Sequence, residues 1–493
     1  MAPRARCPAA RRESPVVTLL RESARPAMVR EHRLAPWFAV GTVCFGAFMG
    51  QLDASIVTVA FPALQRQFHA GLPAVQWVSL AYLLALTTLL VPAGRWSDRA
   101  GRKLLYLYGF VIFAAASAAC GLAASIGMLI ALRIVQAVGA ALLQANSVAL
   151  VVTSVPERQR RAALGVQAAA QAVGLASGPV LGGLLVAAVG WRWVFFLNVP
   201  VGLVAIVAGW YLLPRTLRRA EPRGADPGGM VLLALATTAG MLAVSSLSGL
   251  GLPAWAVACC GASAVAAAAA LRRQERRSAA PLLDLPALAG SGAARALAGA
   301  LCSYLVLFGP LVLFPQVITA QGGSALAAGL LLTSLPAGFG IAALLADRVF
   351  PAGWPNGRRC AIGGALAAGS AAALAVPAPH AVSVVLLGLL GAGLGVYTPA
   401  NNAEIMAALP AGDAAAAGGM VNMTRGIGTA LGVAVVTLGL HAGALLGHPG
   451  AAAGQEVSMA ALAAVAVAAT WAGSGGPGSG AGARRRCRTR GAA

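Results

Sequence analysis

Charge is scarce in this chain, and negative charge is the scarcest. Of the 493 residues 10% are charged, and 14 Asp and Glu stand against 36 Lys and Arg. Soluble domains average about 25% charged residues. Because 59% of the residues are hydrophobic and the mean hydropathy is +0.78, the composition predicts an integral membrane protein with many spans.

The residues that carry most enzyme and cofactor chemistry are also sparse. None of the eight Cys forms a Cys-x-x-Cys pair and the five His are isolated, so the sequence indicates neither a zinc site nor a disulfide framework. The sequence contains no Gly-x-x-x-x-Gly-Lys-Ser/Thr phosphate loop, which argues against ATP as an energy source. We therefore expect no cofactor, no metal and no enzymatic activity.

The net charge of +22 would favour nucleic-acid binding in a soluble protein. Here Arg lies in short loops between apolar runs, so a lipid bilayer is the expected partner and nucleic acid is not. Residues 1–36 are polar and Arg-rich without an apolar core, which excludes a secretory signal. Residues 1–27 are expected to be dispensable, because they precede every span and Met28 starts a basic segment of its own.

A membrane span needs about 20 apolar residues. On that basis the sequence predicts an all-α, polytopic membrane protein with fourteen transmembrane helices. The expected spans lie at 37–59, 74–93, 104–123, 126–151, 162–187, 193–213, 229–248, 252–271, 295–319, 325–346, 359–376, 380–401, 415–439 and 456–473. Of the 36 Arg and Lys, only Arg66 and Arg192 fall in loops after odd-numbered spans, so the positive-inside rule places both termini in the cytoplasm.

An internal echo predicts how the spans are grouped. Asp347 and Arg348, followed by Arg358 and Arg359, resemble the charged loop between spans 2 and 3, which makes span 10 the counterpart of span 2. We therefore expect a parallel repeat of two six-helix bundles with two extra central helices between them. The expected regions are a cytoplasmic tail (1–36), the first bundle (37–213), the two inserted helices with their flanking loops (214–294), the second bundle (295–473) and a disordered basic tail (474–493).

Charged side chains interrupt apolar spans at Asp53, Arg133 and Arg425, and each is costly inside a bilayer and a functional-site hypothesis by default. At 1.5 Å per residue, Asp53 lies about 24 Å along span 1 from Trp37, and Arg133 about 12 Å along span 4 from Ser125. Both are therefore expected in the outer half of the membrane, close enough for an ion pair or a water bridge. Arg133, and likewise Arg425 in span 13, could instead be a structural residue paired with carbonyls.

The loop between spans 2 and 3 combines glycine with charge at Gly94, Asp98, Arg99, Gly101 and Arg102. Glycines permit a tight turn and close helix approach, and Asp98 can accept hydrogen bonds from a helix N-terminus and pair with an Arg. The loop therefore has the makings of a gate between helices. The alternative is a solvated basic loop that only sets topology.

Span 5 carries a second glycine motif, formed by Gly174, Gly178, Pro179, Gly182 and Gly183. Glycines four residues apart let helix backbones meet, and a proline is expected to bend the span. Plain helix packing in a membrane protein rich in Ala and Gly is the alternative explanation.

These motifs resemble those of the major facilitator superfamily, and specifically its drug/proton antiporter branch with fourteen spans. The segments that carry the resemblance are 52–62, 94–103, 133–141, 174–183, 191–202 and 281–285. The chain departs from the branch at Thr58, where Asn is usual, and at Ala137, where Gly is usual. Spans 9 and 10 contain no acidic residue, so a counter-charge for cationic drugs is not evident there.

The resemblance implies a monomeric, proton-coupled efflux transporter that exports a small lipophilic drug or antibiotic across the cell membrane in exchange for protons. Asp53 would carry the proton and Arg133 would modulate it, while the loop with Asp98 would form a cytoplasmic gate. The expected cavity residues are Gln136, Tyr304, Gln316 and Arg425.

Two other functions stay open. A proton-coupled importer or exporter of an endogenous metabolite could share the fold, although an importer would be expected to lack the Gly-Pro motif of span 5. A non-transporting membrane sensor would not need Asp53 and Arg133 in the bilayer.

Overall fold

The computed structural model describes residues 22, 25–70, 72–216, 226–246, 253–278, 292–321, 325–351, 353–408, 414–445 and 451–474. Most of the expected N-terminal tail, the expected C-terminal tail after residue 474 and the 281–285 segment lie outside these ranges. Within them every regular element is a helix. An all-helical chain is what the composition predicts, because a membrane span must satisfy its backbone hydrogen bonds internally.

Fourteen long helices coincide with the fourteen apolar stretches of the sequence. They are α1 (Ala35–Val59), α2 (Leu72–Ala100), α3 (Arg102–Gly121), α4 (Ile126–Ser154), α5 (Arg160–Ala188), α6 (Asn198–Leu212), α7 (Pro227–Ser245), α8 (Ala254–Arg277), α9 (Ala293–Ala320), α10 (Ala325–Val349), α11 (Asn356–Ala375), α12 (His380–Ala408), α13 (Ala414–Leu445) and α14 (Ala451–Gly473). Shorter helices lie at Ala27–Arg30, Phe61–Phe68 and Arg192–Phe196, and a 3-10 turn at Glu157–Gln159.

Twelve helices of the described chain are long and apolar enough to cross a membrane, and α6 is one of them only together with the short helix before it, over Arg192–Leu212. The other two long helices are α7, whose apolar part is shorter, and α11, which begins with Arg358 and Arg359 in its first turn. A multi-pass membrane protein is thus confirmed, whereas the count of fourteen spans stays a prediction.

Helix packing forms two groups. In the first, α1 packs on α5, α4 packs on α2 and α3, and α6 packs on α1 and α3; in the second, α12 packs on α10 and α11, and α14 packs on α9, α11 and α13. α7 and α8 pack on each other, and α7 also contacts α2 and α13. The groups meet where α13 contacts α2 and α4 and where α5 contacts α10 and α12.

Glycines in α5 permit its close approach to α1. Gly174, Gly178 and Gly182 face α1, whereas a Cβ added at Gly183 would meet no atom within 4 Å. A Cβ at Gly178 would lie 3.0 Å from the amide nitrogen of Ile56, too close for a side chain to fit without a shift. Three of the four motif glycines therefore serve the α1–α5 contact, and α5 is continuous through the motif proline.

The connections at residue 101, at 156–159 and at 353–355 lie at the same end of the helix bundle, which we call the arginine end. At this end Glu22, which is 7% exposed, accepts hydrogen bonds from the amide (2.8 Å) and hydroxyl (2.7 Å) of Thr216. The Thr216 hydroxyl in turn accepts from the amide of Arg102 at 3.0 Å, at the start of α3. Glu22 thus supplies a buried contact that a chain starting at Met28 would lack, and the dispensability of residues 1–27 stays a prediction.

Candidate functional site

Asp53 is the centre of a buried polar cluster. Its carboxylate is inaccessible to solvent, and one oxygen lies 2.7 Å from Nη1 of Arg133. The side-chain amides of Gln136 and Asn198 donate to the other oxygen, each at 3.0 Å. α1, α4 and α6 therefore meet at one carboxylate whose charge is both paired and hydrogen-bonded, as burial requires.

Arg133 is fixed by several partners besides Asp53. Its Nη1 also donates to Oε1 of Gln136 at 2.8 Å, and its Nε donates to the carbonyl of Val78 at 3.2 Å. The guanidinium carbon lies 3.9 Å from the centre of the Tyr82 ring, within cation–π range. The sequence left open whether Arg133 pairs with carbonyls or with the acid, and in the structure it does both.

Helix geometry places the two charges at the same depth. α4 begins at Ile126, and the hydroxyl of the N-cap Ser125 accepts from the Met128 amide at 3.2 Å. Arg133 lies two helical turns into α4, about 10 Å from its start, and Asp53 lies about 9 Å before the end of α1 at Val59. Both are near the end of the bundle opposite the arginine end.

Asn198 was missed by the sequence analysis as a site residue. It is the first residue of α6, directly after the short helix Arg192–Phe196, and its amide also donates to the Ser117 hydroxyl at 3.1 Å. Ser117 donates to the carbonyl of Phe195 at 2.8 Å, so α3 holds the turn in place. The available signal was a lone amide side chain within the motif at 191–202.

Tyr82 separates the Asp53 cluster from a cavity. One face of its ring lies against Arg133, and the residue also lines the cavity. The residue is 1% exposed, and its hydroxyl has no hydrogen-bond partner among the described residues. The sequence offered no motif that would single out this position.

The cavity has a volume of about 260 Å³ and lies between the two helix groups. Helices α1, α2, α4, α7, α9 and α13 all contribute to its wall. The lining residues are Gly50, Gln51, Ala54, Leu80, Tyr82, Leu83, Leu86, Thr87, Leu90, Gln144, Met241, Tyr304, Phe308, Asn422, Arg425, Gly426, Thr429, Ala430 and Val433. A mostly apolar wall with a few polar groups is typical of small-molecule sites.

Two of the four expected cavity residues line this cavity. Tyr304 and Arg425 contact each other in its wall, with the guanidinium carbon 4.9 Å from the ring centre. Gln136 lies behind Tyr82 in the Asp53 cluster, and Gln316 is exposed on α9 and donates to the carbonyl of Val312 at 3.2 Å. The expectation that these two line the cavity is therefore not met. Gln136 points to the Asp53 carboxylate instead, and the mostly apolar sequence of α9 does not reveal which of its faces points inward.

The junction of α2 and α3 joins the two helix groups. The charged segment predicted as a loop is helical except at Gly101, because α2 continues to Ala100 and α3 begins at Arg102. Asp98, which is 1% exposed, pairs with Nε of Arg102 at 2.7 Å and accepts a hydrogen bond from the amide of Ala416 at 2.9 Å. Ala416 lies in the first turn of α13, so a carboxylate sits at a helix N-terminus, where it is favourable. Gly101 has φ +123°, which lets the chain turn sharply between the two helices.

Two further residues of the predicted loop lie in α2. Gly94 is buried within α2, and Arg99 is half-buried in the last turn of that helix. A second link between the groups follows along α13, where the Asn422 amide donates to the carbonyl of Gln144 at 2.7 Å. The arginine end is therefore held by contacts of α13 with both α2 and α4.

The corresponding charged segment of the second group, between α10 and α11, also joins the two groups. Asp347 at the end of α10 forms ion pairs with Arg359 of α11 and, at 3.6 Å, with Nε of Arg161 at the start of α5. Arg161 also donates to the carbonyl of Trp354 at 2.9 Å. Each group thus extends an acidic residue toward the first turn of a helix in the other group.

The family follows from comparison with known proteins. Residues 43–433 match the Major Facilitator Superfamily. The chain belongs to this superfamily. The human organic anion transporter MFSD10 (TETRAN) has a similar fold, with a TM-score of 0.65 over 89% of this chain and 99% of that one, at 16% identity. Membership points to a transporter rather than an enzyme.

Proteins with sequences similar to this chain include two that are named for resistance to an antibiotic. The methylenomycin A resistance protein of Streptomyces coelicolor is 33% identical over 407 residues, which cover 80% of this chain and 84% of that protein. The tetracenomycin C resistance and export protein of Streptomyces glaucescens is 40% identical over 198 residues. That match covers 40% of this chain and 37% of the relative, so the two are similar over less than half of either length.

Proposed function

We propose that this chain is a proton-coupled efflux transporter that exports a small lipophilic drug or antibiotic across the cytoplasmic membrane. The observation that carries the proposal is the buried Asp53–Arg133 pair, placed beside a cavity between two helix groups. An ionisable residue inside a membrane bundle marks proton and substrate pathways. The names of the two Streptomyces relatives support export as the direction and an antibiotic as the substrate.

The proposed architecture is that of the antiporter branch with fourteen spans, two six-helix bundles, two inserted helices and both termini in the cytoplasm. The positions of α7 and α8 support it, because they pack on each other between the two groups in sequence. The Arg bias of the loops supports the orientation, which makes the arginine end cytoplasmic. The chain is proposed to work as a monomer, since each group contributes to the same cavity.

Asp53 is the proposed proton carrier. While ionised, it holds α4 and α6 to α1 through Arg133, Gln136 and Asn198. A proton on Asp53 would remove the ion pair and weaken this attachment, while Arg133 would keep its bonds to Gln136 and the Val78 carbonyl. Proton binding would thereby be linked to movement of α1 against α4, which alternating access requires.

The proton gradient is sufficient for export. One proton that enters down a potential of 100 mV supplies about 2.3 kcal/mol. At about 1.4 kcal/mol per tenfold in concentration, this sustains roughly a fifty-fold gradient of a neutral substrate.

Asp98 is the proposed cytoplasmic gate, together with Arg102 and the neighbouring loop residues. Its two oxygens connect α3 to α13, and therefore one helix group to the other. Opening the cavity toward the cytoplasm would require these bonds to break. The three motif glycines of α5 would hold α1 close to α5 during the movement.

A susceptibility screen followed by vesicle transport tests the proposal. Cells that express the chain are challenged with a panel of antibiotics and dyes, and a compound that they resist is then measured in everted vesicles with and without a proton gradient. Asp53→Asn should abolish uphill transport but retain downhill exchange, because the binding cavity stays intact. Asp98→Asn should reduce both, because the gate loses its ion pair with Arg102 and the negative charge at the start of α13.

Two results would contradict the proposal. Full uphill transport by Asp53→Asn, at equal protein level, would remove this residue from proton coupling. Unchanged susceptibility to every compound, in cells whose membranes contain the protein, would contradict drug export and favour transport of an endogenous metabolite.

A further inference from the structure

Arg425 brings an unbalanced positive charge to the cavity. It is the sole residue with a formal charge among the described residues that line the cavity, and it is 5% exposed. Its Nη1 donates to Oδ1 of Asn422 at 3.1 Å, whereas its buried Nε has no hydrogen-bond partner among the described residues. A guanidinium with five donors is therefore largely unsatisfied at this wall.

The nearby carboxylate cannot balance Arg425, because it already has a partner. Asp53 lies behind the Tyr82 ring, and Arg133 pairs with it at 2.7 Å. The Asp53 cluster is thus neutral as a unit, and Arg425 gives the cavity side a net positive charge. A positive charge buried in a membrane bundle needs a counter-charge or water.

Three aromatic side chains line the cavity together with Arg425. The guanidinium lies over the Tyr304 ring, and Phe308 and Tyr82 also line the cavity. Aromatic walls favour flat aromatic ligands. The planar fork of an arginine matches a carboxylate or another oxyanion.

We infer that the cavity selects aromatic substrates with an ionised acidic group, such as a carboxylate or a phenolate, and that Arg425 is the residue that determines this selectivity. The inference rests on the proposed export function and narrows its substrate class. An anion would complete the hydrogen bonding of the guanidinium and supply its missing counter-charge. A lipophilic cation of the same shape would meet charge repulsion.

The test uses two sets of aromatic probes that share a ring system and differ in charge. One set is 2-naphthoate, 2-naphthylmethanol and 2-naphthyltrimethylammonium, and the other is fluorescein and rhodamine 123. Efflux from cells that express the full chain is measured for wild type, Arg425→Gln and Arg425→Lys, with the protein level in the membrane determined for each. Arg192→Gln is the control, because it removes a positive charge far from the cavity.

Wild type should export the anions in preference to the neutral and cationic probes. This part of the test does not depend on the folding of any variant. Arg425→Gln should lower anion efflux about ten- to hundred-fold, the range expected for the loss of a charge-assisted hydrogen bond. Arg425→Lys should retain part of the efflux, since it keeps the charge but not the fork, and Arg192→Gln should retain the anion preference.

The outcomes separate the inference from the function on which it rests. Export without a preference for anions, or an anion preference that survives Arg425→Gln, would overturn the selectivity and leave efflux in place. Failure of wild type to export any probe or any compound of the susceptibility panel would overturn both.

Discussion

Two buried arginines in this molecule, Arg133 and Arg425, differ in whether an acidic side chain balances their charge. Arg133 and Arg425 each lie against a tyrosine ring, at 3.9 and 4.9 Å from the ring centre, and each is 5% exposed or less. Arg133 has a carboxylate at 2.7 Å, whereas Arg425 has the neutral amide oxygen of Asn422 at 3.1 Å. One arginine therefore belongs to a closed, neutral network and the other presents its charge to a cavity.

The difference separates two tasks that a coupled transporter must perform. A proton-binding group has to respond to a proton without being displaced by substrate, which a network shielded by a tyrosine ring permits. A substrate-binding group has to leave some of its hydrogen-bonding capacity unused until the substrate arrives. Arginine can serve in proton coupling where a neighbouring helix supplies a carboxylate, and in substrate binding where no carboxylate is supplied.

Breaking the closed network should have the largest effect. Arg133→Gln leaves Asp53 buried without its counter-ion, and removing one partner of a buried pair costs about 3–5 kcal/mol. We expect a correspondingly lower free energy of unfolding and no uphill transport. Thermal denaturation of the purified protein in detergent measures the first effect, and vesicle transport measures the second.

Two controls identify the cause. Adding Asp53→Asn to Arg133→Gln removes the remaining charge and should restore much of the lost stability, although not uphill transport. Arg425→Gln should cost about 1 kcal/mol, because it breaks a single hydrogen bond and strands no carboxylate. Equal losses of stability in Arg133→Gln and Arg425→Gln would contradict the view that only Arg133 neutralises a buried carboxylate.

Giving Arg425 an acid of its own should have the next largest effect. Asn422→Asp places a carboxylate where the amide oxygen now accepts from the guanidinium, and so converts Arg425 into a second paired arginine. We expect efflux of anionic probes to fall roughly ten-fold, as for the loss of a bond to a charged group. Efflux of cationic probes should be unchanged or improved.

Asn422→Leu is the matched control for this change. It removes the hydrogen bond to the Gln144 carbonyl, as Asn422→Asp also does, but adds no charge. If Asn422→Leu lowers anion efflux as much as Asn422→Asp, the effect comes from the contact between the helix groups and not from charge. A difference between the two variants isolates the charge.

Much of this arrangement could be predicted from the sequence where a single helix decides it. The apolar stretches coincide with the helices, and the fixed rise per residue was enough to place Asp53 and Arg133 at similar depth. The ion pair then required only that α1 and α4 face each other. The sequence identifies Asp98 as an anion that can cap a helix, but it does not indicate that the helix is α13.

The sequence does not reveal which face of an apolar helix points inward, so the positions that depend on it could not be predicted. Gln316 was expected in the cavity and is exposed, and the mostly apolar sequence of α9 gives no signal for its inner face. Asn198 stands in a motif, but its contact with Asp53 depends on where the short helix before α6 ends. Tyr82 is one apolar residue among many until α2 is placed against α4.

The smallest effect is expected from Tyr82→Phe, at the boundary between the two arginine sites. The Tyr82 hydroxyl is buried without a hydrogen-bond partner among the described residues, so Tyr82→Phe loses no bond there. Stability should change by no more than about 0.5 kcal/mol and uphill export by no more than about two-fold.

Tyr82→Ala is the contrasting variant. It should cost several kcal/mol, because it removes the ring from Arg133 and leaves a cavity. It should also lower the ratio of uphill transport to exchange, because it connects the Asp53 cluster to the substrate cavity. Loss of uphill transport in Tyr82→Phe would show that the hydroxyl itself takes part in proton transfer, and that the network around Arg133 extends into the substrate cavity instead of ending at the ring.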